Sequence, residues 1–168
     1  MSYNTIDDIL GEVEDNIILQ LVIDSATDVT VDMVTLVLNA GDLSGLSSDE
    51  LAAATLAASF ITKALIRADA EVDGFCGKRY QVPFSPLPDF VKAIALDLTV
   101  YNMFSRRENV PKNREARRDN AVKNLEQIAK GLVTLGVQDP TPVETFSTAT
   151  PSVVSGAGMF GRNRMRGY

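Results

Sequence analysis

Apolar residues recur at spacings of three and four through the middle of the chain, which predicts long amphipathic helices. The first helix begins after Ser47, because Ser47 and Glu50 have the spacing of a capping box. A second apolar flank on this helix (Leu56, Phe60 and Ala64) indicates that the helix lies centrally in the fold. Its main stripe consists of Leu51, Ala54, Ala58, Ile61, Leu65, Ala68, Val72 and Phe75.

Two further helices are predicted after proline residues. Pro88 suits the first turn of one helix, and Pro111 opens the next, which Gly131 is placed to end. Three helices joined by short loops predict an antiparallel bundle. The apolar faces of the two helices are Phe90, Val91, Ile94, Leu98, Tyr101 and Phe104 in the first, and Val122, Leu125, Ile128, Ala129 and Leu132 in the second.

The first 45 residues or so predict shorter elements. Thr5 can cap a short helix whose first turn holds Asp7 and Asp8, and "EDNIILQLV" is a second short apolar piece. The segment "VTVDMVTLVL" fits either a strand or a helix, since periodicity alone does not decide between them. We therefore predict an all-α fold over residues 1–137, a small bundle of three main antiparallel helices plus short N-terminal helices.

The composition changes after residue 137. Residues 138–168 are rich in Pro, Thr, Ser and Gly and carry no helical stripe, which predicts an extended or flexible C-terminal arm. Such an arm is either a solvated tail or a segment that orders on a partner. The candidate anchors and charges for binding a partner are Val153, Val154, Met159, Phe160, Arg162, Arg164, Arg166 and Tyr168.

The composition excludes several kinds of chemistry. Histidine is absent and Cys76 is the single cysteine, so His-based nucleophile pairs, His-containing metal sites and Cys-based zinc sites within one chain are excluded. We predict that Cys76 is a buried or half-buried structural cysteine, the alternative being a reactive thiol near Lys78 and Arg79. We expect neither an enzyme nor a cofactor. We also expect no signal peptide and no membrane span, and hence a cytoplasmic protein.

The stretch "DAEVDGFCGKRY" begins like a calcium loop, with Asp69, Glu71 and Asp73 at alternate positions before Gly74. The twelfth position of such a loop requires a bidentate acid, and Tyr80 stands there. The helical stripe also runs through this stretch, so we interpret it as the end of the long helix. Its Gly-Lys pair lacks the spacing of a phosphate-binding loop.

Charge is divided unevenly along the chain. Residues 1–62 contain eleven acids and no Lys or Arg, so their net charge is −11. Residues 63–168 contain all 16 basic residues and the other eleven acids, so their net charge is +5 and that of the chain is −6. This division favours docking between copies, although simple solvation of the surface accounts for it equally well. The densest basic cluster has three possible roles: a surface for salt bridges between subunits, a solvated helix face, or a phosphate-binding surface. It consists of Arg106, Arg107, Lys112, Arg114, Arg117 and Arg118.

Four segments together resemble a known family, and the first of them, "YNTIDDILGEVEDNIILQLVID", resembles the short opening helices of that family. "ADAEVDGFCGKRYQVPF" resembles the signature of tailed-phage head–tail connector (adaptor, or head completion) proteins, including their Mu-like prophage branch. "LPDFVKAIALDLTVYNMFSRR" and "NAVKNLEQIAKGLVTLGV" resemble the two helices that follow in that family, and the region 29–48 is longer than usual. The matching positions are Asp73, Gly74, Phe75, Arg79, Tyr80, Pro83, Asp97 and Tyr101.

This resemblance implies a structural virion protein at the head–tail interface, assembled in the bacterial cytoplasm. Such proteins form a ring, typically a dodecamer, beneath the portal protein. They extend the DNA channel without reading its sequence and offer a surface to stopper or tail-terminator proteins. In related connectors the C-terminal arm reaches onto the portal. The alternative is a small cytoplasmic helical regulatory or nucleic-acid-binding protein that uses the basic cluster as its binding surface.

Overall fold

A computed structural model describes residues 2–23, 29–107 and 110–136. Within these ranges every regular element is a helix, which confirms the predicted all-α class, and the ambiguous segment after Thr30 is helical. The predicted arm at 138–168 lies outside the described residues. The helices are α1 (Ile6–Glu12), α2 (Asp15–Val22), α3 (Val31–Leu38), α4 (Ser48–Cys76), α5 (Asp89–Ser105) and α6 (Lys112–Ala129).

Two helices begin at the caps that the sequence predicts, the capping box of Ser47 with Glu50 and the N-cap Thr5, which the structure shows to form a capping box with Asp8. The Thr5 backbone N–H donates to the Asp8 carboxylate over 2.9 Å at the start of α1. The Ser47 N–H donates to the Glu50 carboxylate over the same distance at the start of α4. Each box satisfies backbone donors that a helix start otherwise leaves unpaired, which defines where the helix begins.

The three long helices run up, down and up. The end of α4 packs with the beginning of α5 through Val72, Cys76 and Val91, so α4 and α5 are antiparallel. The start of α6 meets the end of α5, where the Arg114 guanidinium lies 6.0 Å from the Phe104 ring centre. The predicted antiparallel arrangement is therefore confirmed, with α4 also packed against α2 and α3.

The core consists of two neighbouring hydrophobic clusters. One joins α1, α2, α3 and the first part of α4 to the end of α5, around Ile9, Ile18 and Ile61. The other joins the end of α4 to α5 and α6, around Leu125 and Ile128. Each of these side chains is fully buried and contributes about 1.5–3 kcal/mol by leaving water.

Three apolar residues that the sequence assigns to helix stripes are exposed instead. Leu56 is 48% exposed and Phe90 43% exposed, because neither lies on the flank of its helix that meets the bundle. Of the other residues in that predicted flank of α4, Ala64 is buried and Phe60 is half-buried, and Ala57 is buried in addition. Leu132 is 76% exposed, because the chain has already left the α6 axis at the preceding glycine.

Helix α4 is long and apolar enough to span a membrane, judged by length and composition alone, with a mean hydropathy of 1.4 over its best 18-residue window. One such helix is weak evidence for a membrane span, because a core helix passes the same test; a third of this window is buried inside the fold. The contacts of α4 with four other helices are those of a core helix.

Candidate functional site

The signature stretch at the end of α4 folds around Tyr3. The Tyr3 hydroxyl donates a short hydrogen bond to the Asp73 carboxylate, and the Tyr3 backbone N–H donates to Asp69 Oδ1 over 3.2 Å. The Phe84 N–H donates back to the Tyr3 hydroxyl over 3.4 Å. Burial, together with the bond to Asp73, raises the pKa of the Tyr3 hydroxyl well above its usual value.

These bonds also decide between the two interpretations of the acidic stretch. Asp69 and Asp73 lie on the last turns of α4, as the helical interpretation predicts, and both accept hydrogen bonds from Tyr3. Among the described residues, no group of three acidic or cysteine side chains is arranged to hold a metal ion. The two carboxylates therefore attach the N-terminal segment to the bundle.

A second aromatic residue of the signature fixes the loop after α4 and the chain after α6. The Tyr80 ring centre lies 5.9 Å from that of Phe84, and the Tyr80 hydroxyl accepts a 3.1 Å hydrogen bond from the Leu135 N–H. The loop that carries these rings contains cis peptide bonds before Pro83 and Pro86. Tyr80 thus connects segments that are 55 residues apart.

The signature arginine lies against the glycine that ends α6. Gly131 has a φ of +77°, and a Cβ placed there would overlap Arg79 Nη1. The N–H of Leu132 bonds to the Gln127 carbonyl over 2.9 Å, which closes the helix end. Glycine adopts this backbone conformation without strain, and a larger residue would also require the Arg79 guanidinium to move.

The remaining residues near the end of α4 have simpler surroundings. Gly74 is a helical residue with open space where a Cβ would lie, and Phe75 is half-buried with Lys78 Nζ 5.7 Å from its ring centre. Cys76 is fully buried, as predicted, and burial raises the pKa of its thiol to about 11. Gly77, and not Gly74, caps the helix.

A charged cluster connects α1 to α5 and α6. The Glu12 carboxylate accepts from Arg114 over 2.9 Å and from Arg117 over a shorter distance, and Arg117 Nε lies 3.0 Å from Asp97 Oδ1. Burial raises the pKa of Glu12, but the hydrogen bonds from Arg117 and Arg114 outweigh it and hold that pKa below its usual value. At Asp97 burial outweighs the attraction of Arg117, so the pKa of that carboxyl is raised.

The other cations of the basic cluster lie near α2 and α5. Arg106 and Arg107 both donate to the Leu21 carbonyl, over 2.6 and 3.3 Å, at the negative end of the α2 dipole. Arg118 lies 5.0 Å from the Tyr101 ring centre, and Lys112 is exposed. The intersubunit role of this cluster stays a prediction, and it would have to coexist with the contacts made within the chain.

The structure brings together a further basic site that the sequence did not single out. A cleft of about 310 Å³ lies between the end of α2, the middle of α4 and the end of α5. Lys63, Arg67 and Arg106 line it beside the Phe60 ring, which the Arg106 guanidinium faces at 3.7 Å. The available signal was a pair of cations four residues apart on a helix whose preceding twelve residues carry no charge.

The predicted portal-binding residues, from Val153 to Tyr168, lie outside the described residues, so their role stays a prediction. No curated protein matches the chain. The family model described as "Bacteriophage Mu, Gp36" matches residues 3–153, which cover most of the chain. The chain therefore belongs to the Bacteriophage Mu Gp36 family of phage proteins.

Proposed function

We propose that this phage protein is a head–tail connector that acts by binding and not by catalysis. In this proposal several copies, as a dodecamer, form a ring under the portal protein in the virion. The ring extends the channel through which genomic DNA passes without sequence-specific binding. Its far side gives stopper or tail-terminator proteins a surface for attachment, and assembly takes place in the host cytoplasm.

The observation that carries the proposal is the family match, combined with the contacts that the signature residues make within the bundle. Asp73, Arg79, Tyr80 and Asp97 all contact other side chains or backbone groups of the bundle. They join the N-terminal segment, the loop after α4 and the end of α6 into one unit. Signature residues that hold segments of the fold together favour a structural role for this protein.

The arm supplies the proposed attachment to the portal. Residues 138–168 contain apolar anchors and the basic residues Arg162, Arg164 and Arg166, with no acid after Glu144. We expect these apolar anchors to be buried against the portal protein, and the three arginines to pair with acidic groups there. The family match extends to residue 153 and so includes the first half of the arm.

The test is co-assembly with the portal protein of the same phage, followed by mass measurement. We expect the full-length chain to join a portal-sized ring and a chain ending at residue 138 to fail. Two full-length double variants distinguish the role of the apolar anchors from that of the length of the arm. Val153→Asp with Val154→Asp should abolish binding to the portal, whereas Ser152→Ala with Ser155→Ala should not. A full-length chain that never binds the portal would contradict the proposal.

The rival function as a nucleic-acid-binding protein is less well supported. Arg114 and Arg117 already bind the Glu12 carboxylate, and the Arg118 guanidinium lies 3.7 Å from Glu71. Phosphate contacts would have to displace these pairs. A gel-shift experiment with phage DNA at physiological salt separates the two functions: the connector proposal expects no discrete complex, and a sequence-specific complex would favour the rival.

A further inference from the structure

The basic cleft between α2, α4 and α5 has the chemistry of a site for an acidic segment. Its walls are apolar where Leu21, Val22 and Met103 line it, and none of its described lining residues is acidic. Lys63 and Arg67 are exposed at its edge, and neither makes an ion pair with an acid in the described ranges. Carboxylates entering this cleft would therefore meet cations that the fold itself leaves available.

The charges on α4 are separated along one face of the helix. Asp49, Leu56, Phe60, Lys63 and Arg67 are spaced by seven, four, three and four residues, so they follow a single helical stripe. Asp49 lies in the first turn of α4, where Leu56 is exposed between it and the cations. The same face thus begins acidic, continues apolar and becomes basic.

The acidic start of α4 cannot reach the cleft of its own chain. A rise of about 1.5 Å per residue puts Lys63 roughly 21 Å and Arg67 roughly 27 Å along the helix from Asp49. Asp42, which precedes the helix, is also exposed, and its carboxylate accepts only a local 2.9 Å hydrogen bond from the Ser44 N–H among the described contacts. Pairing of these opposite charges requires two copies of the chain.

We propose that the cleft receives the acidic start of α4, Asp49 with Asp42, from a second copy of this chain. In the proposed ring the contact is head-to-tail, so each copy offers its acidic start to one neighbour and its cleft to the other. A reciprocal pairing of the same two surfaces would instead close a two-fold dimer. Exposed Leu56 and the half-buried Phe60 supply apolar area between the charged ends. The inference rests on the proposed ring and names the surfaces that form it.

The experiment is a charge exchange in the full-length chain, read out as self-association by sedimentation velocity, both alone and mixed with portal protein. Lys63→Glu with Arg67→Glu should weaken association at least about tenfold, which corresponds to roughly 1.4 kcal/mol, and so should Asp42→Lys with Asp49→Lys. The protein that carries all four substitutions should recover most of the association, because the charges face each other again with opposite sign. A higher salt concentration should weaken the self-association of the wild-type protein.

The control variant has the same change in net charge at a different place. Lys78→Glu with Lys123→Glu alters exposed cations at the end of α4 and on α6, and it should leave association unchanged. The inference is overturned if the fourfold variant fails to recover, if the control weakens association as much, or if the wild type stays monomeric both alone and with the portal.

These outcomes separate the inference from the proposed function. A chain that joins the portal normally, with association indifferent to the charge exchange, would contradict the cleft contact and leave the connector function standing. A chain that never binds the portal but shows loss and recovery of self-association would support the cleft contact and contradict the connector function.

Discussion

The Tyr3 hydroxyl donates a hydrogen bond to the Asp73 carboxylate across 70 residues of chain, and the Tyr3 side chain is 4% exposed. This bond links the N-terminal segment to the end of α4, where the family signature lies. Tyr3→Phe removes the donor and keeps the packed ring, so we expect the free energy of unfolding to fall by about 1–2 kcal/mol in urea denaturation. Tyr101→Phe is the control, and an equal loss there would contradict a specific role for Tyr3.

The two glycines at the helix ends should respond to alanine in opposite directions. Gly131→Ala places a Cβ against Arg79 at a positive φ, and we expect a loss of at least about 1–2 kcal/mol in stability. The measurement is the midpoint of thermal unfolding. A Gly131→Ala protein as stable as the wild type would show that the guanidinium and backbone adjust freely.

Gly74→Ala should instead stabilise the protein. Gly74 is helical and open space surrounds the position of its missing Cβ, so alanine costs nothing sterically and lowers the entropy of the unfolded chain. We expect a gain of about 0.5–1 kcal/mol. If Gly74→Ala leaves stability raised but abolishes assembly, the glycine serves a close contact with another molecule.

The pH dependence of stability should carry the signature of Glu12. The pKa of Glu12 is lowered in the folded protein, so the stability that it contributes is present above its ordinary pKa of 4.5 and is lost as the pH falls through the lower folded value. Glu12→Gln should lower the free energy of unfolding by about 2 kcal/mol at neutral pH. It should also reduce the further loss of stability that the wild type shows as the pH falls below 4.5. The control is Glu115→Gln at an exposed position of α6. If Glu12→Gln loses stability at low pH just as the wild type does, Glu12 is not the cause of that loss.

Cys76 should resist thiol reagents in the folded protein. Its thiol is fully buried, and burial raises its pKa to about 11, so little thiolate forms at pH 8. We expect the reaction with a colorimetric disulfide reagent to be at least about a hundredfold slower in the native protein than in urea. Rapid labelling without denaturant would show that the end of α4 opens readily.

The local features of the fold could be predicted from the sequence, because they depend on neighbouring residues. The caps at Thr5 and Ser47 and the end of α6 at Gly131 follow from local chemistry, and the burial of Cys76 follows from the usual behaviour of a single free cysteine. Exposure of Leu56 could not be predicted in the same way, since the pattern does not say which flank of a central helix meets its neighbours.

The long-range polar contacts could not be predicted from the sequence. Nothing in the local pattern indicates that Tyr3 meets Asp73, or that Glu12 meets Arg114 from a helix that begins 100 residues later in the chain. The basic cluster therefore looked available as a unit, whereas several of its members bind acids or carbonyls within the chain. The pair that is available, Lys63 and Arg67, becomes apparent only when the cleft is formed.

The central claim is that this phage protein forms a ring on the portal, and the mass of the complex tests it most directly. Native mass spectrometry of the full-length chain mixed with the portal protein should show one dominant species that contains a full ring of this chain on each portal ring. A portal that carries no copies, or a variable and substoichiometric number of them at saturating concentration, would contradict the account.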